Sequence, residues 1–362
     1  RTKINGALIC MVLSYYLYKY PYKLVWHIFK FLNKNPTAVA YCADPLDYVV
    51  LEPVLKYLPR ISIVVKNSKT TRYLKKKGKP YKRMPCFPRA VIMSRHATHK
   101  FPEQKIIKIG FRHGAFHFKT LANARYYNDF DLYFMTSERE VEQAKARGIV
   151  TARAIGFPKL DPISNTSLDR TMIDAVKRQA NFDHKKKTVI FTATWDKSGM
   201  SAIDRWIDTI DDLSQFYNIL VTVHPWTSRK YLKKLRIIDS VFFIEDPNVL
   251  PYLVIADVLV GDTSSIIAEF CALDKPIITF KVVETKRTVP EITRLLKDIS
   301  IQIENVDQLK DAIEYSLNNP EKKSEERQQA RRMIFDKLDG QAGRRAAEII
   351  KEKIPFLKDK SD

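Results

Sequence analysis

The sequence predicts an α/β protein made of two doubly wound domains that face each other across a cleft. Three observations carry that expectation. The chain has 362 residues, more than one hydrophobic core ordinarily supports. Short apolar runs alternate with stretches of helical length, which implies parallel strands joined by right-handed crossovers. The alternation also runs twice, interrupted by a polar, mostly helical segment at residues 165–187. The expected units are an N-terminal helical region (1–35), a first domain (36–165), a second domain (185–335) and a C-terminal helix and tail (336–362).

In the first half, "TAVAYCA" reads as a strand, and "DPLDYVVLEPVLKYLP" as a helix opened by Asp44-Pro45. "ISIVVK", "RAVIMSR", "KIIKIGF" and "DLYFMTS" supply four further strands. Ser137 and Glu140 have capping-box spacing for a helix that Gly148 ends, and "VTARAIGFP" closes this half. The second half gives "TVIFTAT", a helix over 201–216, "NILVTVH", a short helix over 231–235 and "SVFFIED". A helix near 249–255, the strand "DVLVGD", a helix from Ser264 and the strand "PIITF" follow. From Val306 onward the chain reads as charged surface helices.

A formal charge of +21 says nothing about fold but points to an anionic partner: phosphate-rich substrate, acidic membrane face or nucleic acid. The four cysteines form no C-x-x-C, so neither a disulfide framework nor a zinc cluster is expected. The chain starts at Arg1, which leaves open an upstream segment. Residues 7–32, "ALICMVLSYYLYKYPYKLVWHIFKFL", are charge-free only from Ala7 to Tyr18, too short to span a bilayer. Lysines mixed with Tyr and Trp there read as an interfacial helix pair broken at Pro21; a hairpin packed on the protein itself is the plainer alternative. Residues 66–89 carry ten Lys and Arg and no acid. They read either as a solvated loop or as a contact for a membrane or anionic acceptor, through Lys75, Lys76, Lys77, Lys79, Lys82 and Arg83.

The chemistry concentrates at strand ends. "DVLVGDTSS" delivers a strand into Asp262, Thr263, Ser264 and Ser265 at the start of a helix, where unpaired N–H groups and hydroxyls suit a phosphate. Plain helix capping is the alternative. Glu269 lies one turn on, placed for ribose hydroxyls. His113, followed by Gly114, ends one strand; His224, followed by Pro225, ends another in the other half. A lone histidine is more often structural, but matched placement puts both on one cleft. No metal-ligand spacing, P-loop or serine-hydrolase elbow is present, so no metal or cofactor is called for.

The blocks "RHGAFHFKT", "DLYFMTSEREVEQAKARG", "IGFPKLD", "VIFTATWDKSG", "VTVHPW" and "ADVLVGDTSSIIAEFCALDKPIITF" resemble the CDP-glycerol glycerophosphotransferase family over residues 90–285. The resemblance implies a GT-B arrangement of two Rossmann-like domains, with transfer of a polyol phosphate from CDP-glycerol or a related CDP-polyol. It implies a lipid-linked teichoic acid or capsule acceptor at the cytoplasmic membrane face. His113 and His224 would be the essential histidines, with the 262–265 turn around the diphosphate and Glu269 beside it. Lys119 and Arg229 would support the phosphates. Ala115 and Phe116 stand where the family has Thr-Pro, and Trp195-Asp196 where it has Trp-Arg. The rival enzyme reading is a GT-B glycosyltransferase or sugar-nucleotide epimerase, separable by whether CMP or UDP is released. An RNA-binding module is the distant one, and no nucleic-acid motif supports it.

Overall fold

The computed structural model describes residues 2–116, 121–165, 168, 170–286 and 288–357, with side chains from residue 15 onward. It contains two parallel sheets. The first joins β1 (Ala38–Cys42), β2 (Ser62–Val65), β3 (Lys82–Arg83), β4 (Ala90–Met93), β5 (Ile107–Phe111), β6 (Leu132–Met135) and β7 (Ala152–Ala154), in the order β3-β2-β1-β4-β5-β6-β7. The second joins β8 (Thr188–Ala193), β9 (Asn218–Val223), β10 (Val241–Phe243), β11 (Val258–Gly261), β12 (Ile277–Phe280) and β13 (Ile301–Ile303), in the order β10-β9-β8-β11-β12-β13. Each order reverses direction near its middle, and in such sheets a crevice opens beyond the strands' carboxyl ends at that point. Runs such as Thr188–Ala193 are buried at every residue, as strands covered on both faces must be.

The helices of the first lobe are α1 (Thr2–Phe31), α2 (Pro45–Leu55), α3 (Ser68–Lys76), α4 (Ala124–Asn128) and α5 (Glu138–Ala146). α6 (Asp161–Ser164) and α7 (Arg170–Gln179) lead into the second lobe. That lobe carries α8 (Ile203–Trp206), α9 (Ile210–Leu213), α10 (Arg229–Ile237), α11 (Leu250–Ile255), α12 (Ile266–Cys271), α13 (Pro290–Ile299), α14 (Leu309–Asn318) and α15 (Ser324–Phe335). α16 (Ala342–Lys353) returns to the first lobe, where Ala346, Ala347 and Ile350 join the core beneath α2.

Four expectations are corrected. The N-terminal pair broken at Pro21 is one helix, because anchors on both sides of the proline hold it in line. Tyr18 donates to the Lys100 carbonyl at 2.8 Å, Tyr22 to that of Cys86 at 2.7 Å, and Trp26 to that of Pro88 at 2.7 Å. Residues 66–89 are not all loop: Asn67 caps α3 by accepting the Thr70 N–H, and Thr70, Thr71 and Leu74 bury one face beneath the cations. The helix over 201–216 splits into α8 and α9, where the Thr209 hydroxyl takes the Trp206 carbonyl and interrupts the ladder. Finally, α13 and β13 follow "PIITF", α13 burying Ile292, Leu295, Leu296 and Ile299 at helical spacing.

α16 meets α2 closely enough that size decides the fit. A Cβ at Gly343 would lie 2.6 Å from the Pro53 carbonyl oxygen. Gly343→Ala is therefore expected to destabilise the protein by about 1–3 kcal/mol, seen as a lower urea midpoint with unchanged slope; an unshifted midpoint would contradict this packing.

Candidate active site

The second lobe's wall is built from three adjacent strand ends. The His224 N–H donates to the Ala193 carbonyl at 3.1 Å, tying the end of β9 to that of β8. Asp262 then ties β8 to β11. Its carboxylate accepts the Thr194 N–H (3.0 and 3.1 Å to its two oxygens), the Ala202 N–H at 3.0 Å and the Thr263 N–H. Burial pushes this carboxyl up to about 6, against those donors, which favour the charged form. So Asp262 shapes the corner from beneath and is closed to direct contact with a diphosphate. Thr263 and Ser264 are likewise buried, their hydroxyls facing Met200 and Thr192 at 3.4 and 3.3 Å. Of the four turn residues, Ser265 reaches furthest toward the cleft. β9 and β11, the strands that lead to His224 and Ser265, lie two strand spacings apart, about 10 Å.

The His224 ring is fixed as well as placed. Its Nδ1 accepts the Trp226 N–H at 3.1 Å, so the proton sits on Nε2 and the ring is a donor there. Asp196 pins the same loop by accepting the Ser228 N–H and hydroxyl at 2.9 and 2.5 Å. Trp195 and Trp226 meet edge-to-face at 5.5 Å beside it. Pro225 and Arg229 are exposed next to this loop, Arg229 as the first residue of α10.

The first lobe contributes the end of β5. His113 is exposed, with Arg112, Arg95, His96 and the Ser94 backbone as neighbours. Desolvation, then Arg112, Arg95 and His96, lowers its pKa to about 4, while a bond with the Ser94 backbone works the other way. The turn that carries it is braced from below. Arg112 donates to the Phe116 carbonyl at 2.6 Å, and its Nε lies 3.2 Å from the buried Glu140 carboxylate. Glu140 also accepts the Thr136 N–H and hydroxyl at 3.0 and 3.1 Å. The expected capping box is therefore half made: Ser137 caps α5 as foreseen, but Glu140 turns inward to the histidine's turn.

The two walls touch. A Cβ on Gly114 would stand 3.2 Å from the Ser265 hydroxyl, so the turn bearing His113 abuts the corner of the other lobe. Ala115 and Phe116 bury among Phe157, Ile267 and other residues of the interlobe core, which accounts for an apolar pair at these positions. Glu269 is corrected: 2% exposed, it is held by Lys159 at 2.7 and 2.9 Å and is sealed off from the cleft. Lys119 and His117 lie outside the described residues. Lys75, Lys76, Lys77, Lys79, Lys82 and Arg83 are all exposed on and after α3. Sequence reasoning missed Arg112, Glu140 and Lys159. For Lys159 the signal was a lone cation in the apolar run Gly156–Leu160, whereas Glu140 sits in a charged run that hides it.

Two parallel α/β lobes with a histidine at a strand end of each make a GT-B-like fold. The chain belongs to the CDP-Glycerol:Poly(glycerophosphate) glycerophosphotransferase family, whose model matches residues 103–352, and is an enzyme of that type. Among curated proteins none matches the sequence. In fold it is similar to the wall teichoic acid polymerase TagF in a CDPG-soaked crystal, with a TM-score of 0.67 at 16% identity, over 93% of this chain and 98% of that one. It is also similar to the S. aureus MnaA–UDP co-structure, with a TM-score of 0.62 at 13% identity, over 88% and 97%. A putative UDP-N-acetylglucosamine 2-epimerase from Listeria monocytogenes gives 0.60 at 12% identity, over 90% and 98%.

The lowered pKa of His113 sets a pH expectation. A free-enzyme imidazole with a value near 4 stays neutral from pH 5 to 8, so a 13C-labelled His113 ring should show no protonation step near 6.5. Arg112→Ala removes a repelling cation and should move the step upward. A His113 step near 6.5 in the unaltered protein would refute the crowded placement.

Proposed function

We propose that the protein transfers a polyol phosphate, glycerol phosphate foremost, from a CDP-activated donor to a hydroxyl of a lipid-linked cell-wall or capsule acceptor, releasing CMP. The observation that carries this reading is the contact of the His113–Gly114 turn with Ser265, which brings the candidate base to the phosphate corner. The donor's diphosphate would lie over Ser265, between the two histidines. Neutral His113 takes the proton of the attacking hydroxyl, whose oxygen bonds to the phosphorus carrying the glycerol. The bond from that phosphorus to the bridging oxygen breaks, and CMP leaves. His224, proton on Nε2, donates to the phosphoryl oxygens as charge grows there. The anionic donor itself favours imidazolium at His113, so the base strengthens when substrate is bound.

His113→Ala should lower CMP release from CDP-glycerol by about 10²–10⁴-fold, with CDP-glycerol binding still measurable by calorimetry. Unchanged turnover would remove His113 from the mechanism, and release of UDP from UDP-sugars in place of CMP would move the enzyme to a nucleotide-sugar reaction.

A lipid-linked acceptor requires a way to the membrane, and α1 offers one. No helix is long and apolar enough to cross a membrane among the described residues. However, α1 packs through Tyr18, Tyr22 and Trp26 and leaves the opposite stripe bare: Leu17, Tyr20, Leu24, Ile28 and Phe31, the last 87% exposed. Lys19, Lys23 and Lys30 flank the stripe, as in helices that lie in an anionic interface. Each such cation near the surface contributes about 1 kcal/mol. Leu17→Glu with Leu24→Glu should abolish flotation on phosphatidylglycerol vesicles while leaving the circular dichroism unchanged; flotation equal to the unaltered protein would exclude α1 as the contact.

A further inference from the structure

The passage that leaves α15 walls a cavity of about 310 Å³, lined by Asp274, Gln328, Arg331, Arg332, Asp336 and Leu338. Ser265 caps one end of α12 and Asp274 lies just past the other, so this cavity and the Ser265 corner sit at opposite ends of that helix. Nothing in the transfer chemistry uses it.

The lining groups differ in whether they are already occupied. One Asp274 oxygen accepts from Arg327 Nε at 2.9 Å; the other accepts from the Ser324 hydroxyl at 2.7 Å and Gln328 Nε2 at 3.0 Å. Asp336 accepts the Glu138 N–H at 2.7 Å through Oδ2, and its Oδ1 has no donor among the described residues. Arg331 and Arg332 make no hydrogen bond and no ion pair among the described residues. Arg327 matches Asp274, so two unpaired guanidiniums share the cavity with a single remaining carboxylate.

That balance calls for an anion, and geometry chooses which. Consecutive residues of a helix point about 100° apart, so Arg331 and Arg332 reach the cavity from different sides. One guanidinium fork takes both oxygens of a carboxylate, whereas a phosphate keeps oxygens for a second fork. The open Oδ1 of Asp336 asks for a hydroxyl donor. The volume lies near the lower end of the roughly 300–1,000 Å³ that small-molecule sites occupy, which suits a small ester better than a nucleotide.

We infer that this cavity binds a small hydroxylated phosphomonoester, its phosphate between Arg331 and Arg332 and a hydroxyl on Asp336. The site goes beyond the transferase reading and does not rest on it. Two of its lining residues belong to the passage between the lobes. Asp336 holds the first N–H of α5, and the Leu338 carbonyl accepts the Ser164 hydroxyl of α6 at 2.8 Å. A ligand seated there braces that passage.

Glycerol 3-phosphate is the probe. Calorimetric titration of the unaltered protein should show saturable binding. Arg331→Gln with Arg332→Gln, which keeps side-chain length and helix propensity, should weaken it about tenfold or more. The charge-matched Lys310→Gln with Lys353→Gln should leave it unchanged. Amide hydrogen exchange locates the ligand without any variant: the probe should slow exchange across residues 328–338 and at Glu138, and glycerol alone should not. Equal affinity in the arginine variant, slowing confined to residues 262–265, the same slowing by glycerol, or no binding at all overturns the site.

Discussion

The arrangement of the two lobes depends on one buried ion pair. Lys159, in the turn that follows the first sheet, reaches the Glu269 carboxylate inside the second lobe, and both side chains are almost wholly enclosed. Such a pair is poor evidence of net stability, because desolvating two charges offsets most of their attraction, yet removing one partner costs about 3–5 kcal/mol. Its effect is therefore one of registration. Glu269 lies on α12, whose N-cap is Ser265, so the ion pair fixes the corner relative to the first lobe. Two residues beyond Lys159, Asp161 accepts the Ala342 and Gly343 N–H groups at 3.1 and 2.7 Å and docks α16. One short turn thus sets both the cleft and the return of the chain.

Most of this fold was legible in the sequence because each central strand is an uninterrupted apolar run ended by a residue that cannot continue it. Gly261 before Asp262, and His224 before Pro225, are local signals, and they located the second wall. What stayed hidden was long-range. Nothing near Glu269 announces that Lys159, 110 positions away, occupies it. Nothing in a capping-box spacing shows that Glu140 turns toward Arg112. In both cases a carboxylate with a local role to expect, ribose binding for Glu269 and capping for Glu140, is taken by a cation from another block. The same blindness applies to Asp262, whose partners at Thr194 and Ala202 come from another strand and loop.

Electrostatics divide the molecule in a way that net charge cannot express. Within the walls, cations such as Arg112, Arg95 and Lys159 are matched by carboxylates and act on geometry. Arg112 and Arg95 also act at a distance by keeping the neighbouring imidazole uncharged. Part of the surplus lies on α1, α3 and α10, where many of the cations are exposed. A basic sequence here therefore means matched cations inside the walls and unmatched ones outside them.

The polypeptide passes between the lobes twice, once after Asp161 and once before Ala342, and the bonds from Asp161 to α16 hold these passages side by side. Two adjacent crossings define a hinge line. Any parting of the lobes is then a rotation about that line, in which displacement grows with distance from it. Under the proposed transfer reaction, an opening of the seam between Gly114 and Ser265 would admit the acceptor and free the nucleotide, while the axis itself stays nearly still.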